Sequence, residues 1–465
     1  MDVVKAAWSL NRNAKTLFRL NSSSNDNNKQ YDRDSPLDGL RALAALWVVS
    51  FHLFVVLPYL LQLNPDDRAI FNDYAGMVII RPVDLGDYGV DIFFILSGCL
   101  IMAILGREMK AAMRSPTVAD SSEPLLQLDE QQQQPGNPTM TRTIINFFIR
   151  RYARLMPAYT VALVCLMVEA SIKGDNDGCL YDVWRNFLFI NNLFSSGGCM
   201  PWSWSIAIEW QMYLVSPFIV WTVLRWPRWR FGVLFGLTAI SMGLYIGLTV
   251  RTFYTDKLFQ STVYNMPYSR MFAYFLGMSI SLSVSDKKAE ARAHPEVDVA
   301  PLTISRVVLR FLSISSALLV AFSDNTVGSD AWSETKMVLV RPIFVVAMAY
   351  IVYDALLPRM PGSDHYQGFA NSVLGSRLLY ILAQLSYSVY LFHLFFAESI
   401  YGLLSEPICS GTVSFKPAWI YPVMAMSILF LTICLAIAVY FIIEKPFNNL
   451  AADLTKHQKH VTGEK

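Results

Sequence analysis

Long apolar stretches separated by short polar segments recur along almost the whole chain. A helix needs about 20 mostly apolar residues to cross a bilayer, because it rises ~1.5 Å per residue through a hydrocarbon core roughly 30 Å thick. Ten stretches have this character: residues 38–60, 86–106, 145–170, 204–224, 231–250, 267–284, 305–323, 337–357, 377–402 and 418–443. The pattern predicts an all-α integral membrane protein with about ten transmembrane helices in one bundle. The sixth and eighth stretches are the weakest of the ten as spans, because they contain Arg270 and Arg341-Pro342.

The Lys and Arg residues in the connections predict the orientation of the bundle, since cytoplasmic loops of membrane proteins carry an excess of both. With the N-terminus in the cytoplasm, most of these residues fall on the cytoplasmic side, and both termini are cytoplasmic. The chain then divides into an N-terminal tail (1–36), a transmembrane domain (37–447) and a C-terminal tail (448–465). Apolar residues from Val3 to Phe18 recur at helical spacing, which fits either an interfacial amphipathic helix or a disordered tail.

Composition agrees with this class. The chain is 54% hydrophobic and 16% charged, whereas soluble proteins carry about 25% charged residues. Its 11 Trp, 22 Tyr and 29 Phe residues suit two aromatic belts at the membrane interfaces. A net charge of +2 gives no electrostatic argument for a nucleic-acid partner. Membrane lipids are therefore the expected surroundings, in the plasma membrane or an endomembrane, and the oligomeric state is left open.

The longest external loop in this topology, residues 173–202, contains Cys179 and Cys199. Both lie on the oxidising side, where disulfides form and persist. Cys409 lies on the same side, so the sequence alone does not decide the pairing. Cys179–Cys199 is the favoured bridge.

The first span places a charge and an imidazole on one helix face. Arg41 and His52 are eleven residues apart, which is three turns plus about 20°, or roughly 16 Å along the axis. Ionisable residues inside spans are costly and usually face a protein interior or cavity. The alternative is that Arg41 extends to the lipid headgroups and His52 is a packing residue. Asp38, three residues before Arg41, is the predicted partner of its guanidinium.

Three further spans place polar side chains at the depth of His52. In the predicted topology Asp91, Glu209, Tyr390 and His393 all lie in the outer half of the membrane. For each residue taken alone, the alternative to a functional role is local packing. Their convergence from different spans favours a functional site, in which Glu209 or Asp91 orients His52 and Tyr390 or His393 contacts the reacting groups.

The inner side carries a second cluster, Arg150, Arg151 and Arg154, at a depth similar to that of Arg41. Such clusters often only reflect the distribution of positive charge in cytoplasmic loops. Arginine also suits bidentate contacts to phosphate. A basic inner end and an acid–base outer layer would suit a long phosphate-bearing donor. No zinc-ligand spacing, nucleotide-binding loop or serine-hydrolase motif is present in the sequence, so no metal is expected.

Six motifs in order resemble the acyltransferase 3 family of multi-pass membrane O-acyltransferases. They are LDGLRALAALWVVSFH (37–52), DYGVDIFFILSGCLI (87–101), FFIRRYARLMPAY (147–159), WSWSIAIEWQMYLVSP (202–217), SYSVYLFHL (386–394) and EKPF (444–447). Residues 186–193 and 199–204 resemble the animal branch related to nose-resistant-to-fluoxetine proteins. Two departures are the short segment before the first span, where those proteins usually carry a Cys-rich domain, and Glu209, where many bacterial members show two adjacent acidic residues.

The resemblance implies transfer of an acyl group, commonly acetyl from acetyl-CoA, to a hydroxyl of a carbohydrate or lipid acceptor. It implies that His52 and Arg41 match the family's essential histidine and arginine, and that Arg150 and Arg151 match a basic pair that meets CoA. Glu209 and His393 match recurrent motifs of less settled role. The competing hypothesis is a transporter or a lipid or drug permease, because intramembrane Asp, Glu and His residues also form proton relays.

Overall fold

The structure is a computed structural model that describes residues 7–18, 36–56, 81–114, 139–174, 178–194, 198–255, 259–294, 303–322, 331–357, 373–409 and 420–461. Within these residues the fold is all-α, as predicted. Its main helices are α1 (Leu10–Leu17), α2 (Pro36–Phe51), α3 (Gly89–Arg114), α4 (Met140–Lys173), α5 (Cys179–Phe187), α6 (Trp204–Arg225), α7 (Arg230–Thr255), α8 (Pro267–Ala293), α9 (Ile304–Ala321), α10 (Ala331–Leu356), α11 (Arg377–Cys409), α12 (Ile420–Val439) and α13 (Lys445–Val461).

Nine segments among the described residues are long and apolar enough to cross a membrane, and they correspond to nine of the ten predicted spans. The protein is therefore an integral, multi-pass membrane protein. Helix α8 forms where the sixth span was predicted but is not one of these nine, since Arg270 and several serines lower its hydropathy. The end of the first predicted span, residues 57–60, lies outside the described residues.

The two ends of the chain contact each other, which indicates an even number of membrane crossings. Counting α8 as a span gives such a number among the described residues. Asn449 Nδ2 in α13 donates a hydrogen bond to Asn13 Oδ1 in α1 at 2.9 Å. The N- and C-terminal segments therefore lie at the same end of the bundle, which an odd number of crossings would not allow. Nine spans together with α8 give the ten that were predicted. Both ends being cytoplasmic stays a prediction from the charge distribution.

Helix α3 occupies the centre of the bundle and packs against α2, α4, α6, α8 and α10. Its closest neighbour is α8, and the two backbones approach at a pair of glycines. A Cβ on Gly98 would lie 2.1 Å from the Tyr274 carbonyl oxygen, and one on Gly277 would lie 2.1 Å from that of Ile95. Small residues permit this approach between membrane helices. The crossing fixes how the polar residues of α3 face α8.

Helix α4 carries the arginine cluster and is the longest α-helix among those described. Thr139 caps its N-terminus by accepting from the Arg142 backbone N–H at 3.4 Å. Gly174 ends it in the left-handed conformation, with φ at 87°. The two caps define where the helix begins and ends.

The external segment between α4 and α6 is fastened by the predicted Cys179–Cys199 disulfide, which the structure contains. Asn186 in α5, which is fully buried, joins this segment to the bundle. Its Oδ1 accepts from the Cys199 backbone N–H at 2.8 Å, and its Nδ2 donates to the Tyr159 hydroxyl in α4 at 3.2 Å. The start of α6 therefore has a fixed position beside α4.

Candidate active site

A partly open cavity with several charged lining residues lies inside the bundle, between α2, α3, α4, α6 and α11. Its volume is about 70 Å³, which is enough for a few water molecules or a short acyl group. Three arginines, Arg41, Arg151 and Arg154, line it together with Glu209. We call it the arginine cavity. Its lining therefore carries more positive than negative charge.

Arg41 enters the arginine cavity from the first turns of α2. Its Nη1 lies 3.4 Å from Asp38 Oδ1, so the predicted partnership between these two residues is confirmed. Both are on the same face of α2 because they are three residues apart. The guanidinium is mostly buried, with 14% of the side chain exposed. An arginine that lines a cavity in this way differs from one that extends to the lipid headgroups.

The arginines of α4 separate into two groups. Arg151 and Arg154 line the arginine cavity, and the Arg151 guanidinium lies 5.3 Å from the centre of the Tyr213 ring. Arg150 is not part of the lining, and its Nη2 donates to Glu108 Oε2 in α3 at 2.6 Å. Adjacent residues on a helix differ by about 100° in direction. Arg150 and Arg151 were predicted to contact CoA as a pair, but only Arg151 lines the arginine cavity.

Glu209 projects into the arginine cavity from the start of α6. Its Oε1 accepts two hydrogen bonds, from Ser97 Oγ at 2.7 Å and from the Tyr213 hydroxyl at 2.5 Å. Two donors on one oxygen fix the orientation of the carboxylate. Sequence reasoning placed Glu209 in the layer of His52, whereas the structure places it in the cavity with the arginines.

Tyr390 in α11 forms the wall at one side of the arginine cavity. Its hydroxyl donates to the Trp202 carbonyl oxygen at 2.5 Å and accepts from Ser205 Oγ at 2.7 Å. The Tyr390 ring also lies 5.7 Å from the ring of His393. Tyr390 therefore both lines the cavity and contacts a histidine.

His52 and His393 form a histidine pair next to Tyr390. Their ring centres are 4.8 Å apart, which confirms that the first and ninth predicted spans bring these residues together. His52 begins a π-helical turn, His52–Val56, a rare geometry often found at functional sites. Neither histidine lines the arginine cavity.

Backbone contacts fix the tautomers of the histidine pair. His52 Nδ1 lies 2.8 Å from the Val48 carbonyl oxygen, and His393 Nδ1 lies 2.7 Å from that of Tyr390. A carbonyl oxygen only accepts, so each Nδ1 carries the hydrogen and each neutral ring has a lone pair on Nε2. His393 is fully buried, and its Nε2 has no partner in the described part of the chain. Both rings are therefore set up to accept a proton.

Asp91 does not join either group. It is fully buried, and its carboxylate accepts from Arg270 Nη1 at 3.0 and 3.2 Å and from Arg341 Nη1 at 2.5 Å. Arg341 also pairs with Asp87. We call these four residues the ion-pair network. Because both Asp91 oxygens are occupied by arginines, the predicted role of orienting His52 does not match its contacts.

Sequence reasoning missed several of these partners. Ser97 and Tyr213 were not singled out, although both belong to motifs quoted above. Arg270 and Arg341 were noted only as interruptions of two spans. The sequence did contain a signal, because two arginines inside spans require buried acidic partners. Asp91 in α3 and Asp87 in the turn before it are such acids. The ion-pair network also explains why α8 tolerates a charge.

These features define a class: a multi-pass membrane protein with a charged cavity inside its bundle, beside a pair of histidines. Comparison with known families is consistent with that class. The family model described as an acyltransferase domain (acyltransferase 3) matches residues 35–441, which is most of the chain. The chain belongs to this family.

The curated relatives that match are bacterial. Peptidoglycan O-acetyltransferase OatA of Listeria monocytogenes is 28% identical over 222 residues, covering 44% of this chain and 27% of the relative. Putative peptidoglycan O-acetyltransferase YrhL of Bacillus subtilis is 26% identical over 388 residues, covering 78% of this chain and 49% of the relative. The chain thus spans about half or less of these relatives. No solved structure matches it.

Proposed function

We propose that this protein transfers an acyl group, in the first place acetyl, from acyl-CoA to a hydroxyl of a carbohydrate acceptor. The observation that carries the proposal is the charge of the arginine cavity. Arg41, Arg151 and Arg154 line one space with Glu209, inside an apolar bundle. Asp38 and Glu444 compensate part of their charge, but three guanidiniums around one space still form a site for an anion, and CoA supplies phosphates that arginine binds in bidentate fashion.

The size of the cavity limits which part of a donor it takes. About 70 Å³ suits an acyl group or the end of the pantetheine arm but not the nucleotide. In the proposal the phosphates approach Arg151 and Arg154 from the inner side. The thioester then lies between these arginines and Tyr390. Binding the whole donor requires the inner end of the cavity to open.

His52 carries the proton transfer in this proposal. Its Nε2 lone pair takes the proton of the acceptor hydroxyl while that oxygen attacks the thioester carbonyl. The C–S bond breaks, and the leaving sulfur takes the proton from the imidazolium. Alternatively Nε2 attacks the carbonyl and the C–S bond breaks with release of the CoA thiolate. The acyl group then passes from Nε2 to the acceptor hydroxyl, whose proton goes to the thiolate. Both routes require the tautomer described above, so the geometry supports His52 in either role.

His393 and Tyr390 have supporting roles. The free Nε2 of His393 lies in the ring that contacts His52 and is suited to sharing or accepting a proton there. It has no hydrogen to donate to a carbonyl oxygen when the ring is neutral. Tyr390 keeps its hydroxyl on the Trp202 carbonyl, lines the thioester space and contacts His393 there. Glu209 orders the arginines rather than the imidazoles.

The relatives support the type of acceptor. OatA and YrhL are named as a peptidoglycan O-acetyltransferase and a putative one, and peptidoglycan is a carbohydrate polymer with free hydroxyls. Peptidoglycan itself is not implied as the acceptor of this chain, because the chain matches only part of those proteins. A lipid acceptor is the alternative to a carbohydrate. Membership in the animal branch of the family is a separate proposal, which rests on residues 186–193 and 199–204.

A permease is the second hypothesis from the sequence. The histidine pair would suit a proton relay, but Tyr390 lines the arginine cavity next to that pair, which favours a site that holds a donor. A permease would not need acetyl-CoA. The two functions therefore differ in whether they require acetyl-CoA, which can be measured.

The test is incubation of membranes that contain the protein with acetyl-CoA labelled in the acetyl group. We expect label in a carbohydrate fraction with the wild type and a loss of at least about tenfold with Arg154→Ala, since a charge-assisted contact contributes about 1.5–3 kcal/mol. Arg228→Ala is the matched control, because Arg228 is exposed between α6 and α7. Wild-type membranes that transfer no label, or equal transfer by both variants, would refute the proposal.

A further inference from the structure

Helix α5 and the turn before α6 reach deep along α4. The Tyr159 hydroxyl in α4 lies 2.9 Å from Ser203 Oγ and accepts from Asn186 Nδ2 at 3.2 Å. The predicted span of α4 ends at residue 170, eleven residues after Tyr159, which is roughly 16 Å along the axis. Helix side chains lean towards the N-terminus, so the hydroxyl lies no nearer to that end. Because the hydrocarbon core is about 30 Å thick, Asn186 and Ser203 lie near its middle.

The polar side chains of this segment face the protein interior. Four of them are at most 2% exposed, namely Asn186, Asn191, Asn192 and Ser203. Asn191 Nδ2 donates to Ser203 Oγ at 3.2 Å, and Asn192 Nδ2 donates to the Asn265 carbonyl oxygen at 3.1 Å. Irregular backbone at membrane depth is tolerated where it is buried in protein. These contacts therefore suit a segment that lies within the bilayer.

Residues 179–203 contain two charged side chains, Asp182 and Arg185, and these compensate each other. Arg185 Nη1 lies 2.8 Å from Asp182 Oδ2, and the two side chains are 17% and 14% exposed. The Arg185 guanidinium also lies 4.4 Å from the centre of the Phe194 ring. A charge without a partner is costly inside a bilayer, so this pairing also suits a segment in contact with lipid.

The exposed face of α5 is apolar. It is formed by four side chains that are 39–79% exposed, namely Leu180, Tyr181, Trp184 and Leu188. Residues 180, 184 and 188 follow one another at helical spacing, and Leu188 comes directly after the last residue of α5. We call these four side chains the α5 face. Its width and composition are those of a helix face in contact with an apolar partner.

Helix α4, against which α5 packs, has an exposed apolar row of the same spacing in its last turns. Val164, Val168 and Ile172 are 49%, 54% and 81% exposed. Because α4 is one of the segments that cross the membrane, this row faces lipid. Helix α5 therefore lies beside a stretch of α4 whose exposed side chains are in contact with acyl chains.

We propose that the α5 face contacts the acyl chains of the membrane leaflet at this end of the bundle, which is the outer leaflet in the predicted orientation. The depth of Asn186, the paired charges and the buried amides agree with this partner. The inference goes beyond the proposed function and does not depend on it. It assigns to lipid a segment that the sequence placed in an external loop. Trp202, beside Ser203, accepts from the Tyr390 hydroxyl, so Tyr390 lies at about the same depth.

The alternative is that Tyr181 and Trp184 form a platform in water on which a sugar ring stacks. Leu180 and Leu188 offer no such stacking. A platform would also lie outside the hydrocarbon, whereas the contact between Asn186 and Tyr159 places α5 within it. Tyrosine and tryptophan are enriched where a membrane meets water. Lipid is therefore the partner that the contacts favour.

The test is photolabelling of the full-length protein in liposomes of a phospholipid that carries a diazirine in its acyl chain, with the adducts mapped by mass spectrometry. We expect adducts on the α5 face at a yield comparable to that on Val164, Val168 and Ile172. The exposed end of α8, residues 288–294, is the control and should carry none. Hydroxyl radicals generated in the water should modify this control and spare Trp184.

Two results would overturn the proposal. Modification of Trp184 by hydroxyl radicals without acyl-chain adducts would show a face in water, as a sugar platform requires. An α5 face that neither reagent modifies, while α4 is labelled by the lipid, would show that protein covers it, such as a second copy of this chain.

A charge placed on the α5 face tests the same point through stability. We expect Leu188→Lys to lower the unfolding midpoint in liposomes as Val168→Lys does, because both place a charge in hydrocarbon. Ala289→Lys, at the exposed end of α8, is the control for a charge in water, and Leu188→Met is the control for local packing. A Leu188→Lys variant that unfolds at the wild-type temperature would contradict contact with lipid. If this variant does not fold, the photolabelling of the wild type decides.

Discussion

The cavity arginines line the arginine cavity and His52 does not, so binding and proton transfer depend on different side chains in the proposed reaction. Arg41, Arg151 and Arg154 contact the space for the donor, whereas His52 contacts His393. A substitution among the arginines should therefore leave proton transfer intact, and a substitution at His52 should leave donor binding intact. This separation is the basis of two predictions at the scale of single residues.

We expect His52→Ala to lower acetyl transfer by about 10²–10⁴-fold, the usual contribution of a general base. The Kd of coenzyme A should change little, because His52 is not part of the cavity lining. Transfer of labelled acetyl and equilibrium binding measure the two effects. His294→Ala, at the exposed end of α8, is the matched control. Full transfer by His52→Ala would exclude this residue from the chemistry.

Arg150 and Arg151 provide the second prediction. Arg151→Ala should weaken coenzyme A binding about tenfold or more, the value of a charge-assisted contact. Arg150→Ala should change it less than about threefold, since Arg150 pairs with Glu108 in a half-exposed ion pair of small net value. Isothermal titration on purified protein checks both. Equal effects would show that the family motif, rather than the geometry, predicts the donor contacts.

Helices at the centre of the bundle are joined by the ion-pair network, which connects α3 to α8 and α10. Removing one charge from a buried pair leaves the other without compensation, at a cost of about 3–5 kcal/mol. We therefore expect Asp91→Asn to lower the free energy of unfolding by about this amount and the thermal midpoint with it.

Asp286→Asn is the control for this change. Asp286 pairs with Arg230 at 2.8 Å, but 41% of its side chain is exposed, so its loss should cost about 0–1 kcal/mol. Thermal unfolding in detergent measures both variants. If Asp91→Asn unfolds at the wild-type temperature but loses transfer activity, Asp91 acts in catalysis and its assignment to the ion-pair network is insufficient.

The helices themselves were predictable from sequence because apolar length alone determines a membrane span. The partners of the polar residues were not. Depth along a helix follows from residue number, so His52 and His393 were correctly placed in one layer. Direction around the helix depends on packing, which is why Asp91 faces Arg270 and Arg341 although it was predicted beside His52. Arg150 and Arg151 differ for the same reason.

At the scale of the whole molecule, the contact between Asn13 and Asn449 gives the two chain ends one side of the membrane. The distribution of Lys and Arg predicts that this side is cytoplasmic. Tags fused at either end should both become accessible to antibody only after the membrane is permeabilised. A single tag accessible in intact cells would contradict the even number of crossings, and two accessible tags would reverse the predicted orientation.

Tyr390 has a consequence for the membrane itself. A protein that meets a donor on one face and an acceptor on the other must not let protons or small ions pass between the two. The bond from the Tyr390 hydroxyl to the Trp202 carbonyl holds an aromatic ring that borders the charged space and contacts His393. Liposomes carrying Tyr390→Ala should therefore dissipate a pH gradient faster than those carrying the wild type. We therefore expect the ring to act as a permeability seal on which the energised state of the membrane depends.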